Sequence, residues 1–364
     1  MMDTSIKKRL LYIFGIILLA LIVIFLENFR EAYRRDQKYD YYQLKPQDKK
    51  HLREASILKQ SLGNQLWPDF STIELPVILF NDKYAFLVND DDPPNQWKTV
   101  KNDQFENSAY YRLEIHYSKN FAIQLNHKWA GSLAVSERLN REYYLSVRRN
   151  LPPLISQLFP YQYASVSSDL YIVILLQQIF HAYQATVAYP HFRIARDSYK
   201  YGSDYPYRDK QLTNEWNKEG YYLWKALQHT NRDSVSFYTQ KFLEIRKLRR
   251  EQAKLNLDLV SFEKNMEWLE GLAKYTEITF YELSAHHKPQ SSLVYFHNNP
   301  PYWNKDYATL KKSLGKQNDI ERFAISGMAQ AEILEKISPG WKNKILQDSV
   351  YTEDMLSKAL KYNH

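Results

Sequence analysis

The chain of 364 residues is long enough for one membrane segment plus one large or two modest folded domains. Hydrophobic residues make up 44% and charged residues 25%, which is typical of globular proteins and excludes a wholly disordered chain. The absence of cysteine excludes disulfides, thiolate metal sites and a cysteine nucleophile. The net charge of +8 is modest and the basic residues are scattered, so we expect no nucleic-acid partner.

An unbroken apolar run from Leu10 to Leu26 follows three basic residues near the N-terminus. As a helix it would span about 25 Å, which is at the short end of what crosses a lipid bilayer. The run continues into Glu27-Asn28-Phe29-Arg30 without a small-x-small cleavage site. We therefore predict an uncleaved, single-pass signal anchor at 10–26, a cytoplasmic tail at 1–9 and an extracytoplasmic remainder, although arginines also follow the run.

The remainder is predicted to be α+β, because strand patterns come first and helical patterns follow. Residues 27–62 are predicted to form a helical stalk, and residues 63–364 the folded domain. Predicted strands pair as two hairpins: Val77–Phe80 with Tyr84–Val88, and Leu113–Tyr117 with Phe121–Leu125. Predicted helices lie near 136–157, 168–188, 209–230, 233–258, 261–281, 320–336 and 352–361.

The helix predicted at 168–188 contains the most informative motif. Ser167 or Ser168 can cap its N-terminus, and its apolar residues share one arc. Gln177, His181 and Gln184 fall together on another side, at i, i+4 and i+7. One buried-looking helix thus presents an amide, an imidazole and a second amide in a row.

This segment, Gln177-Gln178-Ile179-Phe180-His181-Ala182-Tyr183-Gln184, resembles the His-Glu-x-Phe-His-x-x-Gln motif of uncharacterised bacterial zincin-like, gluzincin-type metallopeptidase families. In zincins the two histidines hold zinc, and the glutamate activates a water molecule. The downstream segment Glu270-Gly271-Leu272-Ala273-Lys274-Tyr275 resembles the Glu-Gly-Leu-Ala-x-Tyr segment of those families. That likeness gives Glu270 the place of the third zinc ligand.

Two further segments resemble the same families in the same order. Phe121–Gly131 is similar to the edge strand and turn that precede the active helix, and Gly327–Trp341 is similar to a C-terminal helix and its exit. The resemblance runs over roughly residues 75–360. It implies a zincin-like domain with a small N-terminal antiparallel sheet followed by a mostly helical part.

The sequence departs from the family pattern at the residues that carry the chemistry. Gln177 offers an amide oxygen where zinc would bind an imidazole nitrogen, and amides are poor ligands for this metal. Gln178 occupies the general-base position and cannot accept a proton as a glutamate does. His181 and Glu270 remain as vestigial ligand candidates, so neither a confident catalytic residue nor a bound cofactor is expected.

Simpler interpretations of these residues also stand on the sequence. His181 is explained equally well as a structural histidine in an amide network. The acidic series from Glu263 to Glu277 has the spacing of a solvated helix face, on which Glu270 and Lys274 could pair. The basic run Arg246–Arg250 is likewise expected on a solvated face.

Three hypotheses follow for the function. The first is a membrane-anchored pseudopeptidase whose former active-site cleft binds a polypeptide or protein partner without cutting it. Its cleft is expected to include tyrosines: Tyr183, Tyr189, Tyr205 and Tyr207. The second is a zinc peptidase with an altered ligand set of His181, Glu270 and another residue, and only this hypothesis requires zinc. The third is a structural cell-envelope protein whose resemblance to zincins is accidental.

Overall fold

The computed structural model describes residues 4–35, 41–115, 119–152, 155–156, 165–285, 304–317 and 319–361. It is α+β: mainly helical, with one small mixed sheet and an N-terminal apolar helix. The strands are β1 (Val77–Phe80), β2 (Tyr84–Val88), β3 (Lys98–Thr99), β4 (Tyr111–Glu114), β5 (Phe121–Leu125) and β6 (Lys128–Ala134). The described helices are α1 (Thr4–Arg35), α2 (Pro46–Leu66), α3 (Ser136–Arg149), α4 (Ser168–Val187), α5 (Tyr189–Asp197), α6 (Lys210–Leu227), α7 (Arg232–Gln252), α8 (Leu257–Met266), α9 (Leu272–Ser284), α10 (Asn304–Lys312), α11 (Glu321–Ile337), α12 (Trp341–Ile345) and α13 (Thr352–Lys361).

Helix α1 contains a stretch, Lys8–Arg30, that is long and apolar enough to cross a membrane. Its apolar side chains from Leu10 to Leu26 are largely exposed, as a lipid-facing helix requires. Helix α4 passes the same test of length and composition, but it is mostly buried in the core of the domain. The predicted apolar N-terminal helix is therefore present, and it has the properties of a membrane or signal anchor.

The sheet has the strand order β3-β4-β2-β1-β6-β5. The predicted hairpin of β1 and β2 is confirmed, with Val77 opposite Val88. The predicted pairing of Leu113–Tyr117 with Phe121–Leu125 is wrong, because β4 pairs with β2 while β5 pairs with β6 at the other end of the sheet. Since β1 and β6 run parallel, the sheet is mixed and not antiparallel as predicted.

Strand β6 was not predicted because its centre, Ala130-Gly131-Ser132, lacks the β-branched and aromatic residues that mark strands. Packing explains these small residues, since β6 crosses directly over α4. A Cβ atom on Gly131 would lie 2.7 Å from the backbone nitrogen of Ile179. Small side chains here allow the sheet to approach the helix that carries the zincin-like motif.

Helix α2 belongs to the core of the domain and not to a stalk, which corrects the predicted boundary at residue 63. Its residues Leu52, Leu58 and Leu66 are buried in the main hydrophobic cluster. Its polar residues His51 and Glu54 are buried as well. The sequence predicted an exposed helix because apolar residues are sparse in it. They are sparse because the buried face of α2 also contains polar and charged side chains.

The predicted helices at 168–188, 209–230, 233–258, 320–336 and 352–361 correspond to α4, α6, α7, α11 and α13. Side-chain caps start several of them. Ser167 caps α4, Asp209 caps α6 and Asn231 caps α7. The helix predicted at 261–281 is instead interrupted: α8 and α9 are joined by a π-turn at Glu267–Gly271.

Candidate functional site

The structure brings together His181 of α4 and Glu270 of the π-turn. The Nε2 atom of His181 lies 3.6 Å from Oε2 of Glu270. His181 is buried, and the side chain of Glu270 is 15% exposed. The two residues that the zincin-like segments assigned as ligand candidates are therefore neighbours, although 89 sequence positions separate them.

Gln184 fixes the orientation of the imidazole ring. Its amide nitrogen donates to the backbone carbonyls of Trp268 (3.2 Å) and Leu269 (3.4 Å), so its oxygen faces His181. That oxygen lies 3.0 Å from Nδ1 of His181, which must carry the proton in this bond. In the neutral ring, Nε2 therefore presents a lone pair toward Glu270.

Burial favours this neutral ring. It lowers the pKa of His181, while the nearby Glu270 carboxylate acts in the opposite direction. At 3.6 Å the imidazole and the carboxylate are too far apart for a direct hydrogen bond. The imidazole nitrogen and the carboxylate oxygen therefore face each other without forming a hydrogen-bonded salt bridge.

Tyr199 and Phe121 complete the surroundings of the pair. The Tyr199 hydroxyl donates a hydrogen bond to Oε1 of Glu270, and burial and this carboxylate raise the pKa of Tyr199 well above its usual range. The Phe121 ring lies 4.6 Å from the His181 ring and meets Tyr199 edge-on. Above both aromatic rings, the exposed Lys119 ammonium lies 5.3 Å from each ring centre.

Gln177 and Gln178 lie on the preceding turn of α4. The Gln178 amide nitrogen lies 3.3 Å from Oε1 of Gln177 and donates to it. Gln178 is buried, and its own Oε1 has no hydrogen-bond partner among the described residues. Gln177 is half-buried. The general-base position is thus occupied by a neutral amide engaged with its neighbour.

The geometry of His181 and Glu270 suits two ligands of one zinc ion, but the complete donor set does not. Two ligand atoms about 2.1 Å from a tetrahedral zinc are about 3.4 Å apart, close to the separation seen here. The third position holds Gln177, however, whose amide oxygen is a poor ligand for zinc. Across the described ranges no three His, Asp or Glu side chains are placed to hold a metal. The residues do not fit a zinc centre of the zincin type.

The π-turn that carries Glu270 is held in place between α4 and α11. On the α4 side, Gln184 donates hydrogen bonds to the π-turn carbonyls of Trp268 and Leu269. On the other side two glycines allow backbone contact, since a Cβ on Gly271 would lie 2.5 Å from Cα of Gly327. π-turns are uncommon and occur frequently at functional sites. The resemblance of Gly327–Trp341 to a zincin-like helix thus falls on the helix that supports Glu270.

A buried ionic network holds the start of the same turn. Arg246 forms two bonds to Glu267, at 2.7 and 2.5 Å, and Ser326 donates to the same carboxylate at 2.7 Å. Around this contact, three arginines and one lysine face four glutamates, so the formal charges cancel. The network consists of Arg246, Arg249, Arg250, Lys264, Glu219, Glu263, Glu267 and Glu353.

These contacts correct two expectations. Glu263 and Glu267 are fully buried, so the acidic series is not a solvated helix face. Arg246 and Arg249 are also buried, so these arginines do not lie on a solvated face, although Lys247 between them is exposed. Burial alone would raise the pKa of Glu263, but the adjacent arginines lower it to about 2. The buried members of each run lie in the core because the arginines of α7 are neutralised by carboxylates from four elements: Glu219 of α6, Glu263 of α8, Glu267 of the π-turn and Glu353 of α13.

Strand β5 forms the edge of the sheet next to His181. It is joined to β6 by a two-residue turn in which Asn126 has a φ of 45°. In a two-residue turn of this kind, the residues on either side, here Leu125 and Lys128, exchange backbone hydrogen bonds. Because hydrogen-bonded and non-hydrogen-bonded pairs alternate along the two strands, the backbone N–H and C=O groups of Ala122 and Gln124 point away from β6. Within the described residues no strand pairs with this outer edge.

Other predicted site residues are placed elsewhere. Tyr183 and Tyr205 are buried and bind Pro68 and Glu263, so their predicted role as cleft tyrosines is wrong. Lys274 pairs with Glu277 and Asp306 instead of Glu270. His286 and His287 lie outside the described residues. Tyr199 was missed because no spacing signal links it to Glu270.

Comparisons with known proteins identify no relative: no protein-family model, curated protein or solved structure matches this chain.

Proposed function

We propose that this chain is a membrane-anchored, zincin-like pseudopeptidase that binds an extended polypeptide without hydrolysing it. In this proposal α1 is the single-pass anchor, with a cytoplasmic N-terminus and an extracytoplasmic domain. The zincin-like identity rests on the order of the sequence segments and on the contact between His181 and Glu270. The absence of hydrolysis rests on Gln177 and Gln178, which supply neither a good zinc ligand nor a general base.

The observation that carries the binding role is the outer edge of β5, beside the pair, with which no strand pairs in the described part of the chain. An extended peptide can add to a sheet edge through main-chain hydrogen bonds, and neighbouring side chains then give specificity. The exposed residue Gln124 offers outward main-chain groups, while Phe121, Tyr199 and Lys119 lie together beside the His181–Glu270 pair.

A second candidate is a zinc peptidase with an altered ligand set. It is favoured by one observation: the 3.6 Å separation and the fixed tautomer of His181 leave a lone pair and a carboxylate facing each other. This candidate requires a third ligand and a base in addition to His181 and Glu270. It predicts stoichiometric zinc, which the pseudopeptidase does not.

The peptide-binding role is tested by substitutions at Gln124. Short peptides that bind the full wild-type chain are first selected from a random display library. We expect these peptides to bind the Gln124→Pro variant roughly tenfold more weakly than the wild type, measured by fluorescence anisotropy. Proline removes the outward N–H donor and is tolerated on edge strands. Gln124→Ala is the matched control, since it keeps this donor and should bind like the wild type.

Two outcomes would contradict the proposal. Equal peptide affinity for the proline and alanine variants would place the binding site away from β5. A wild-type chain that selects no peptide would favour a structural protein without a cleft function.

A further inference from the structure

The chain enters the folded domain through a short segment, Tyr41–Lys45, which we call the lead-in segment. It is fixed at one end of the sheet. Asn81, in the β1–β2 turn, donates to the Tyr41 carbonyl at 2.8 Å, and Arg112 of β4 donates to the Tyr42 carbonyl at 2.7 Å. The Leu44 backbone N–H donates to the Tyr110 hydroxyl at 3.0 Å. The point where the domain is attached to the rest of the chain is therefore defined.

The connection from this point to α1 is short. Six residue steps separate Arg35, the end of α1, from Tyr41, which allows about 21 Å at full extension. The part of α1 beyond Leu26 adds about 14 Å as a helix. A folded domain of this size is about 50 Å across. Because the connection is shorter than the domain, the lead-in segment cannot lie on the side of the domain farthest from the membrane if α1 is inserted in it.

This end of the domain carries cations without matching carboxylates. Lys98 of β3 and Arg112 of β4 are directly opposite each other in the sheet, and like charges in that position repel. In the described part of the chain neither forms an ion pair. Lys83 lies nearby in the β1–β2 turn, with only a surface contact of 3.7 Å to Glu114. An anion outside the protein would relieve this repulsion.

Two tyrosines lie among these cations. The Tyr42 ring is 59% exposed and is 5.2 Å from the Tyr84 ring. The guanidinium of Arg112 lies over both rings, at 5.1 and 4.8 Å. Of the two, only Tyr42 is exposed, whereas Tyr84 is buried. An exposed tyrosine beside lysine and arginine is typical of surfaces that lie at the level of lipid headgroups.

We propose that the surface formed by Tyr42, Lys83, Lys98 and Arg112 lies against the headgroups of anionic lipids. The surface is called the headgroup-facing surface below. Contact there would orient the domain on the bilayer and hold the His181–Glu270 pair at a fixed height above it. The inference rests on the membrane anchor of the proposed function, and not on its peptide-binding role.

The absence of cysteine allows a direct test with single nitroxide labels. Gln43→Cys reports the headgroup-facing surface, Leu257→Cys reports a site on α8 that is 87% exposed, and Ile17→Cys reports α1. The full chain is placed in phosphatidylcholine nanodiscs with or without about 30% phosphatidylserine. Collision with a water-soluble nickel chelate is then measured by electron paramagnetic resonance.

We expect the nickel collision rate at position 43 to fall severalfold below that at position 257 in phosphatidylserine discs. The fall should be smaller in phosphatidylcholine alone. The double substitution Lys83→Glu, Lys98→Glu should reverse it, whereas the exposed Lys247→Glu on α7 should not.

Several results would overturn the inference. A label at position 43 as accessible as that at 257, with the label at 17 in lipid, would refute headgroup contact while the anchor stands. Accessibility of the label at 17 to the nickel chelate would refute the anchor and the inference together. Protection of position 43 that persists in lipid-free detergent, or that ignores charge reversal, would show that another protein surface covers it.

Discussion

Replacing Gln177 with histidine and Gln178 with glutamate should give this protein a zinc site. The double variant would place two imidazoles one turn apart on α4, with Glu270 already 3.6 Å from His181. Gln184 would still hold His181 with its Nε2 lone pair outward, as second-shell partners of metal-binding histidines do. We expect the purified variant to retain about one zinc per chain, measured by plasma mass spectrometry.

Two controls make this experiment specific. Gln178→Glu alone restores the base without the ligand and should retain no zinc. Glu270→Gln in the background of the double variant should remove the metal again. A folded double variant without zinc would show that the residues assigned to the zincin-like ligand positions are wrong.

Arg246→Met should lower the free energy of unfolding by about 3–5 kcal/mol, because it leaves buried carboxylates without their partner. Arg246 bonds Glu219, Glu267 and Glu353 at once. The measurement is urea unfolding of the full chain in detergent, followed by tryptophan fluorescence. Lys247→Met is the matched control on the same helix, since its side chain is 78% exposed and should change stability by about 0.5 kcal/mol or less.

Equal effects of these two substitutions would contradict the network described here. Glu267→Gln provides a second variant, which keeps the shape of the side chain and weakens only the charge pairing. Because Glu267 begins the π-turn, loss of this contact should also disturb the position of Glu270. The stability of the core and the geometry of the site are therefore linked through one turn of helix.

Local patterns predicted the parts of the structure that depend on local chemistry. The cap at Ser167, the apolar arc and the row of Gln177, His181 and Gln184 located α4 and the side of it that carries His181. The hairpin of β1 and β2 followed from two β-rich runs and a short turn. The link between His181 and Glu270 came from the resemblance of their two segments to zincin-like families, not from a local pattern.

Local sequence patterns did not predict the contacts between residues that are distant in the sequence. The sequence does not reveal that the arginines of α7 meet Glu263 of α8 and Glu267 of the π-turn in the core, because each run alone has the pattern of a solvated face. The centre of strand β6 consists of small residues, which allow close packing on α4 but have low strand propensity. Tyr199 reaches Glu270 only through the folded arrangement of α5 and the π-turn.

The central claim is that the site formed by His181 and Glu270 does not work as a zinc peptidase site. It is tested most directly by the zinc content of the purified wild-type chain, measured beside His181→Ala. The account predicts a folded wild-type protein with no stoichiometric zinc and no difference from the variant. About one zinc per wild-type chain that is lost in His181→Ala would contradict it and favour an active peptidase with an altered ligand set.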